Sequence, residues 1–322
     1  MGVAALAAAA IASCPVATAG TRITLGPTRS YSTLLSQITG GMTPAQWYAY
    51  TPTIGQNWAP GTTPLPVDYP ASLLPPFGPM TVGQSIRVGQ GNLDPVLKQQ
   101  AGHGPVVVAG VSQGAMVLDA ERAALATDPA APPPGTVQFV EFGNPAYGAL
   151  GWLPPGTTIP LIDVTVIRPL DSQYNVDIVK GQYDFWADPP DRPWNVLADL
   201  NAIMGVKYVH ISSGLDYKAD GIVLSQTTND RNATTTVYLV PTQHLPLTMP
   251  LRQLGVPDPL VDNIDAVLRP IIDAGYSRNL KQAANVGTAP TASRAVAGTP
   301  RIKPARTAGT AGAKRSGSRR AS

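Results

Sequence analysis

Cysteine is nearly absent from this 322-residue sequence, which has one. A single cysteine excludes a disulfide framework within the chain and a zinc site built from several cysteines. Charged residues make up 13% of the chain, about half of the usual 25% or so. No run reaches the 18 consecutive apolar residues that a membrane-spanning helix needs. The short run Gly89-Gln90-Gly91 lacks the further Gly or Gly-Lys of a phosphate-binding loop, and metal-ligand spacings are missing, so we predict neither cofactor nor metal.

Proline is abundant instead, with 34 residues, and it argues against a helical bundle because it breaks helix interiors. Positive charge is concentrated at the C-terminus, where eight Lys or Arg and no Asp or Glu lie between Arg294 and Ser322. The rest of the chain carries 15 basic against 20 acidic residues. We predict a disordered basic tail at residues 286–322, able to contact an anionic cell-envelope surface. Nucleic-acid binding is not expected, because the basic run lacks interleaved aromatic residues.

The N-terminal residues 1–19 allow several interpretations. Gly2 to Ala12 is small and apolar, and Ala17-Thr18-Ala19 resembles a cleavage site, as in an export segment. Ile11-Ala12-Ser13-Cys14 also resembles a lipoprotein box, which would place a lipid on Cys14. The charged start of a signal peptide is missing, and residues 11–19 also fit a first core strand. We expect a secreted or cell-envelope protein with an atypical export signal.

The remaining chain alternates between short apolar runs and helical patterns. Such alternation predicts an α/β fold with a mainly parallel sheet covered by helices on both faces, in one domain at residues 12–285. The predicted strands are 105–111, 137–142, 161–168, 176–183 and 234–240, and the predicted helices begin after Ser112 or lie at 80–100, 193–204 and 258–274.

One motif carries chemistry. Gly110-Val111-Ser112-Gln113-Gly114 is a G-x-S-x-G sequence between a β-branched run and an Ala/Leu-rich segment. A serine on such a sharp strand-to-helix turn becomes an exposed nucleophile, and the glycines keep Cβ atoms out of the turn. The amide of Gln113, at the start of the helix, is then placed to stabilise an oxyanion.

A serine nucleophile of this kind needs a histidine later in the chain. His103 precedes the motif and has the wrong order. His244 follows the predicted strand 234–240, at the edge where a parallel sheet places its site, so we predict His244 as the base. His210 is the alternative base; it also fits a pocket-lining position or a buried core position.

The acid of the triad should follow the predicted strand 176–183. Asp184 lies at the end of that strand, and Asp188 lies four residues further into the loop. Either carboxylate could orient the histidine. Spacing does not separate them, and we favour Asp188 narrowly.

Several further motifs accompany these residues across about residues 17–255: Phe142-Gly143-Asn144-Pro145, Gln182-Tyr183-Asp184 running to Asp188, residues 193–202, Tyr208-Val209-His210 and residues 242–247. Together with Gly-Val-Ser-Gln-Gly they resemble the PE-PPE domain, the serine α/β-hydrolase domain of mycobacterial PE and PPE proteins, whose members are similar to cutinases and lipases. The resemblance implies a triad of Ser112, Asp184 or Asp188, and His244. It also implies a second oxyanion donor in a Gly-Gly-Thr loop, for which Gly20 and Thr21 are the nearest match.

The resemblance implies a serine carboxylic-ester hydrolase, an esterase or lipase acting on acyl-ester or lipid substrates. An acyltransferase acting on cell-envelope glycolipids through the same triad is the first alternative, and a catalytically inactive cell-surface binding protein is the second. The helical modules that often precede this domain are absent, which predicts a stand-alone catalytic domain or a shortened reading frame.

Overall fold

A seven-stranded sheet is the centre of the computed structural model, which describes residues 20–31, 41–212, 216 and 221–278. The strand order is β2-β1-β3-β4-β7-β9-β8. Every neighbouring pair is parallel except β8 and β9, which are antiparallel. The predicted mainly parallel α/β fold is therefore confirmed. The predicted export segment or first strand at 1–19 and the predicted tail at 286–322 lie outside the described residues.

The sheet strands are β1 (Thr21–Leu25), β2 (Thr63–Pro66), β3 (Val106–Val111), β4 (Val137–Phe142), β7 (Asn175–Gly181), β8 (Ile222–Thr228) and β9 (Thr234–Val240). A separate two-stranded sheet consists of β5 (Thr158–Ile159) and β6 (Val164–Thr165). The helices are α1 (Pro44–Tyr50), α2 (Val82–Ala101), α3 (Gln113–Leu125), α4 (Val196–Tyr208), α5 (Met249–Gln253) and α6 (Asp258–Asp273). Among the described residues no helix has both the length and the apolar character to span a membrane.

Both faces of β3, in the middle of the sheet, are buried, as its continuous Val-rich sequence predicts. Successive side chains of a strand point to opposite faces. Val106 and Val108 therefore pack with α2 and α3 in the larger hydrophobic cluster. Val107, Ala109 and Val111 belong to a second cluster, which the segment from Ile54 to Ala59 covers on the opposite face.

A third cluster lies where the chain leaves β7. Tyr183 is fully buried there with Ala198 of α4 and Ile272 of α6. Asn195 caps α4, since its side-chain oxygen accepts a hydrogen bond from the Ala198 amide. The same side chain donates to the carbonyl of Ile271 at 2.6 Å, so the cap also joins α4 to α6. These contacts fix α4 beside the loop that follows β7.

Candidate active site

Ser112 lies between β3 and α3 in a strained backbone conformation, with φ 55° and ψ −115°. A non-glycine residue at positive φ is uncommon and persists only where its surroundings enforce it. Here the Ser112 amide donates to the carbonyl of Phe142 at 2.8 Å. A Cβ on Gly110 would lie 2.7 Å from the backbone of Gly114, and one on Gly114 would lie 2.4 Å from the Leu25 carbonyl oxygen. Both motif glycines are therefore required by close backbone packing.

The hydroxyl of Ser112 lies within a series of hydrogen bonds. His210 Nε2 is 2.8 Å from Ser112 Oγ, and His210 Nδ1 is 2.7 Å from Asp184 Oδ2. All three side chains are buried. A carboxylate that accepts the Nδ1–H leaves Nε2 as the acceptor for the serine proton. The geometry is that of an activated serine nucleophile, a histidine base and an orienting acid.

Three neighbouring strands carry this arrangement. Ser112 follows β3 and Asp184 comes shortly after β7, while β4 lies between them. Gly143 directly follows β4, with φ 60°, and a Cβ there would lie 3.2 Å from the imidazole of His210. A glycine therefore leaves the space in which the histidine bridges the serine and the acid. Gly143 belongs to the Phe-Gly-Asn-Pro motif, but this role was not predicted from the sequence.

The structure corrects the preference for Asp188 as the partner of the base. Asp188 accepts hydrogen bonds from Arg278 at 2.9 and 2.5 Å and from the Tyr183 amide at 3.0 Å. Burial raises the pKa of Asp188, and the Arg278 guanidinium opposes that rise. Its backbone amide donates to the Asp184 carbonyl at 2.6 Å. Asp188 thus holds the loop that carries Asp184, and it does not contact the histidine.

The structure also corrects the placement of His244. Its Nδ1 lies 3.5 Å from Asp262 Oδ1 and 3.8 Å from Asp265 Oδ2, while His210 occupies the position beside the serine. The physical reason is strand order. Three strand spacings separate β3 from β9, which at about 4.8 Å each is roughly 14 Å. A loop directly after β9 therefore starts too far from Ser112, whereas α4 returns the chain to it.

His244, Asp262 and Asp265 bring their ligand atoms within 4.8 Å of one another, close enough to consider a metal ion. A guanidinium already binds these carboxylates and offsets part of their negative charge, because Arg252 donates to Asp262 at 2.6 Å and to Asp265 at 3.2 Å. Asp265 also accepts hydrogen bonds from the Leu245 amide and the Thr248 hydroxyl. We interpret the cluster as an ion-pair network that fixes the loop after β9 to α6.

The predicted oxyanion residues lie at opposite ends of the parallel strands. Gln113 is the first residue of α3, where a helix leaves its amides free. Gly20 and Thr21 are different: β1 runs parallel to β3 with Thr21 beside Val106 and Leu25 beside Gly110. Gly20 and Thr21 therefore lie at the N-terminal ends of these strands, whereas Ser112 follows the C-terminal end of β3. Their predicted role as oxyanion residues is corrected. The loop that lies near Ser112 is the one that follows Leu25, at the C-terminal end of β1.

Thr28 in that loop contacts the residue after the nucleophile. Gln113 Nε2 donates to Thr28 Oγ1 at 3.2 Å and to the Ser72 carbonyl at 2.8 Å, and Ser85 Oγ donates to Gln113 Oε1 at 2.9 Å. These bonds fix the Gln113 side chain against the loop. Within the part of the chain that the structure describes, no acceptor bonds the amide N–H of Gln113 or of Thr28. Thr28 was not predicted from the sequence, because the strand that precedes it, β1, was not predicted either.

A buried charged network lies behind the nucleophile. Arg122 is 3.0 Å from Glu141 and 3.3 Å from Asp119. Asn144 donates to both carboxylates, at 2.7 Å to Asp119 and 2.8 Å to Glu141. Burial raises the pKa of Asp119 and of Glu141. The network ties α3 to β4 and to the turn after Gly143, which explains the Asn in the Phe-Gly-Asn-Pro motif.

Comparison with known proteins shows which proteins this chain resembles. A model of the PE-PPE domain matches residues 60–277. The uncharacterized PPE family protein PPE63 of Mycobacterium tuberculosis is 45% identical over 264 residues, which is 80% of this chain and 55% of that protein. The diacyltrehalose acyltransferase Chp2 of M. tuberculosis is 43% identical over 258 residues, 72% of this chain and 71% of Chp2. The esterase PE16 of M. tuberculosis is 42% identical over 208 residues, 62% of this chain and 39% of PE16. The chain thus spans little more than half the length of PPE63.

Proposed function

This chain belongs to the PE-PPE domain family, and we propose that it is a serine carboxylic-ester hydrolase, a cutinase-like esterase or lipase that cleaves acyl esters. The observation that carries the proposal is the hydrogen-bonded series Ser112–His210–Asp184, with distances of 2.8 and 2.7 Å. The strained backbone of Ser112 supports it, because such strain is concentrated at functional positions. The name of the relative PE16, an esterase, supports the same reaction class.

In the proposed mechanism Ser112 Oγ attacks the ester carbonyl while His210 Nε2 takes the hydroxyl proton. Asp184 holds the Nδ1–H and stabilises the imidazolium that forms. The amide of Gln113, together with that of Thr28, stabilises the negative oxygen of the tetrahedral intermediate. His210 then gives its proton to the leaving alcohol, and an acyl-enzyme remains on Ser112. Water then attacks the acyl carbonyl while His210 takes a proton from it. The acid leaves, and His210 returns that proton to Ser112 Oγ.

Acyl transfer is the second candidate function. Its first half is identical, but an acceptor hydroxyl replaces water in the attack on the acyl-enzyme. The similarity to Chp2, named a diacyltrehalose acyltransferase, favours this candidate and a lipid or glycolipid acceptor. The two functions differ in the fate of the acyl group. Incubation with an acyl donor, with and without a trehalose glycolipid, measures free acid against acylated glycolipid. A rise in acylated product at the expense of free acid would favour transfer.

The first test is labelling by a fluorophosphonate, which reacts only with an activated serine. We expect labelling of the purified protein, loss of labelling in Ser112→Ala, and turnover of p-nitrophenyl esters that disappears in the same variant. Circular dichroism of both proteins serves as the folding control. Absence of labelling in a folded wild-type protein would contradict the proposal and favour the third candidate, an inactive cell-surface binding protein.

We further propose that the protein acts outside the cytoplasm or in the cell envelope, and that its basic C-terminal segment contacts an anionic surface. The support is electrostatic, since residues 294–322 carry eight positive and no negative side chains. Deletion of 286–322 should abolish salt-sensitive sedimentation with phosphatidylglycerol vesicles and leave soluble-ester turnover unchanged. Phosphatidylcholine vesicles are the control. Equal sedimentation of the full chain and the truncated chain would contradict the surface contact.

A further inference from the structure

A small cavity lies beside the nucleophile. It has a volume of about 80 Å³. Val111, which precedes Ser112, and Phe142, whose carbonyl holds the Ser112 amide, line its inner end. Ser212, two residues after the proposed base, also lines it. The cavity is therefore lined by the direct neighbours of the proposed serine and base, which places it close to where an acyl group on Ser112 would lie.

A second recess, of about 490 Å³, is lined by residues of α1 and its flanking segments. Gly41, Met42 and Ala49 contribute to its walls. It also adjoins the loop after β1, because the Ser30 amide donates to the Met42 carbonyl at 2.7 Å. We refer to the 80 Å³ space as the inner cavity and to the 490 Å³ space as the outer groove.

Tyr50 and Thr53 line both spaces, so the inner cavity and the outer groove meet at these two side chains. Tyr50 has the larger side chain and is the last residue of α1. Its backbone is held in place: Thr53 Oγ1 donates to the Tyr50 carbonyl at 2.8 Å. Burial and the neighbouring Asp216 carboxylate raise the pKa of Tyr50, so the phenol stays neutral. Tyr50 is thus an uncharged residue with a fixed backbone that lines both spaces.

Asp216 also lines the inner cavity. Its carboxylate accepts hydrogen bonds from the Asn57 amide at 2.9 Å and from the Trp58 amide at 3.4 Å. Burial raises the pKa of Asp216, although the two amides favour its charged form. Tyr50 and Asp216, two of the residues that line the cavity, are therefore both held in position by hydrogen bonds that involve the backbone.

We propose that Tyr50 determines acyl-chain length by ending the acyl site at the inner cavity. A cavity of about 80 Å³ has room for about three water-sized groups, which is space for an acyl chain of only a few carbons. Removal of the Tyr50 ring would join the cavity to the outer groove and let a longer chain continue into it. This inference rests on the proposed ester chemistry at Ser112.

The test compares kcat/KM for p-nitrophenyl butanoate and decanoate. We expect the wild-type protein to prefer butanoate. Tyr50→Ala should raise the ratio of decanoate to butanoate turnover at least tenfold, and adding Ala49→Trp, which fills the outer groove, should reverse that gain. Tyr48→Ala is the matched control, because Tyr48 lies on the same helix but contacts Arg29 and Asp68 instead. It should leave the ratio unchanged.

The outcomes separate this inference from the proposed function. Fluorophosphonate labelling of each variant reports the activated serine independently of chain length. Labelled Tyr50→Ala with an unchanged ratio overturns the role of Tyr50, whereas absence of labelling in the folded wild-type protein overturns the ester chemistry itself. A wild-type protein that prefers decanoate also overturns the inference without any variant. If Tyr50→Ala does not fold, the smaller truncation Tyr50→Leu is expected to shift the ratio in the same direction.

Discussion

The sharpest prediction concerns which histidine is the base. The perturbations are His210→Ala and His244→Ala, and each removes one imidazole. His210 contacts both the serine hydroxyl and the Asp184 carboxylate at hydrogen-bond distance. His244 lies 3.5 Å or more from its nearest carboxylates, which are already ion-paired with Arg252. The two variants should therefore differ strongly in activity.

The expected magnitudes follow from these contacts. Loss of the base leaves only binding and oxyanion stabilisation, so we expect kcat/KM of His210→Ala to fall roughly 10⁴-fold or more. A 10⁴-fold loss corresponds to about 5.4 kcal/mol of transition-state stabilisation. The His244 side chain is 32% exposed, and an ion pair of that kind is worth at most about 1 kcal/mol. His244→Ala should therefore keep kcat/KM within about threefold of the wild-type value.

The assay is initial-rate hydrolysis of p-nitrophenyl butanoate, with thermal unfolding of each variant as the control for folding. Ser112→Ala defines the background rate. We expect His210→Ala to match that background while its thermal unfolding remains cooperative. Background activity in a folded His244→Ala, together with near-normal activity in His210→Ala, would refute the assignment and restore the loop after β9 as the source of the base.

Three further predictions concern the proposed acid, the glycine beside the proposed base, and a buried carboxylate of α3. Asp184→Asn should lower kcat roughly 10³- to 10⁴-fold because it favours the wrong histidine tautomer. Asp188→Asn should chiefly lower the melting temperature. Equal losses of kcat in the two folded variants would contradict this difference. Gly143→Ala should lower kcat/KM at least about tenfold, since its Cβ would meet the His210 imidazole at 3.2 Å in a left-handed conformation; unchanged kinetics would show that the ring tolerates the contact. Burial raises the pKa of Glu121 from 4.5 to about 8, so the folded protein retains a proton that the unfolded chain loses above pH 4.5. That contribution to stability is complete below pH 4.5, falls as pH rises to about 8, and amounts to at most about 5 kcal/mol. Glu121→Gln should flatten the pH dependence of urea denaturation over this range, and a parallel curve would contradict the burial argument.

Much of the fold could be predicted because its signals are local. The β-branched run before Ser112 and the runs at 137–142 and 234–240 are strands in the structure. The segment 161–168 is mostly loop, and it contributes only the two-residue strand β6. The strands β1, β2 and β8 were missed. β8 is an exposed edge strand, and β2 contains two prolines, so neither has the apolar continuity that marks a buried strand.

The site was predictable only in part, because it depends on strand order. The motif around Ser112 is local, and Asp184 was a candidate because it follows a strand. Choosing between His210 and His244 required knowing that β4 and β7 separate β3 from β9. The error at Gly20 and Thr21 has a similar origin, since their distance from the serine depends on which end of β1 faces it.

In the proposed triad Ser112, Asp184 and His210 follow one another along the chain, and His210 follows a helix instead of a strand. This has a structural consequence. The acid and the base are joined by one continuous segment that leaves β7 at Asp184 and returns through α4 to His210. Gly205 in α4 fixes that segment internally, since a Cβ there would lie 1.9 Å from the Tyr183 carbonyl oxygen. The acid and the base are therefore positioned by packing between α4 and the acid's own loop, while the serine belongs to the rigid centre of the sheet. Alignment of the triad depends on how this segment sits against β4, and the small Gly143 is the point of that contact.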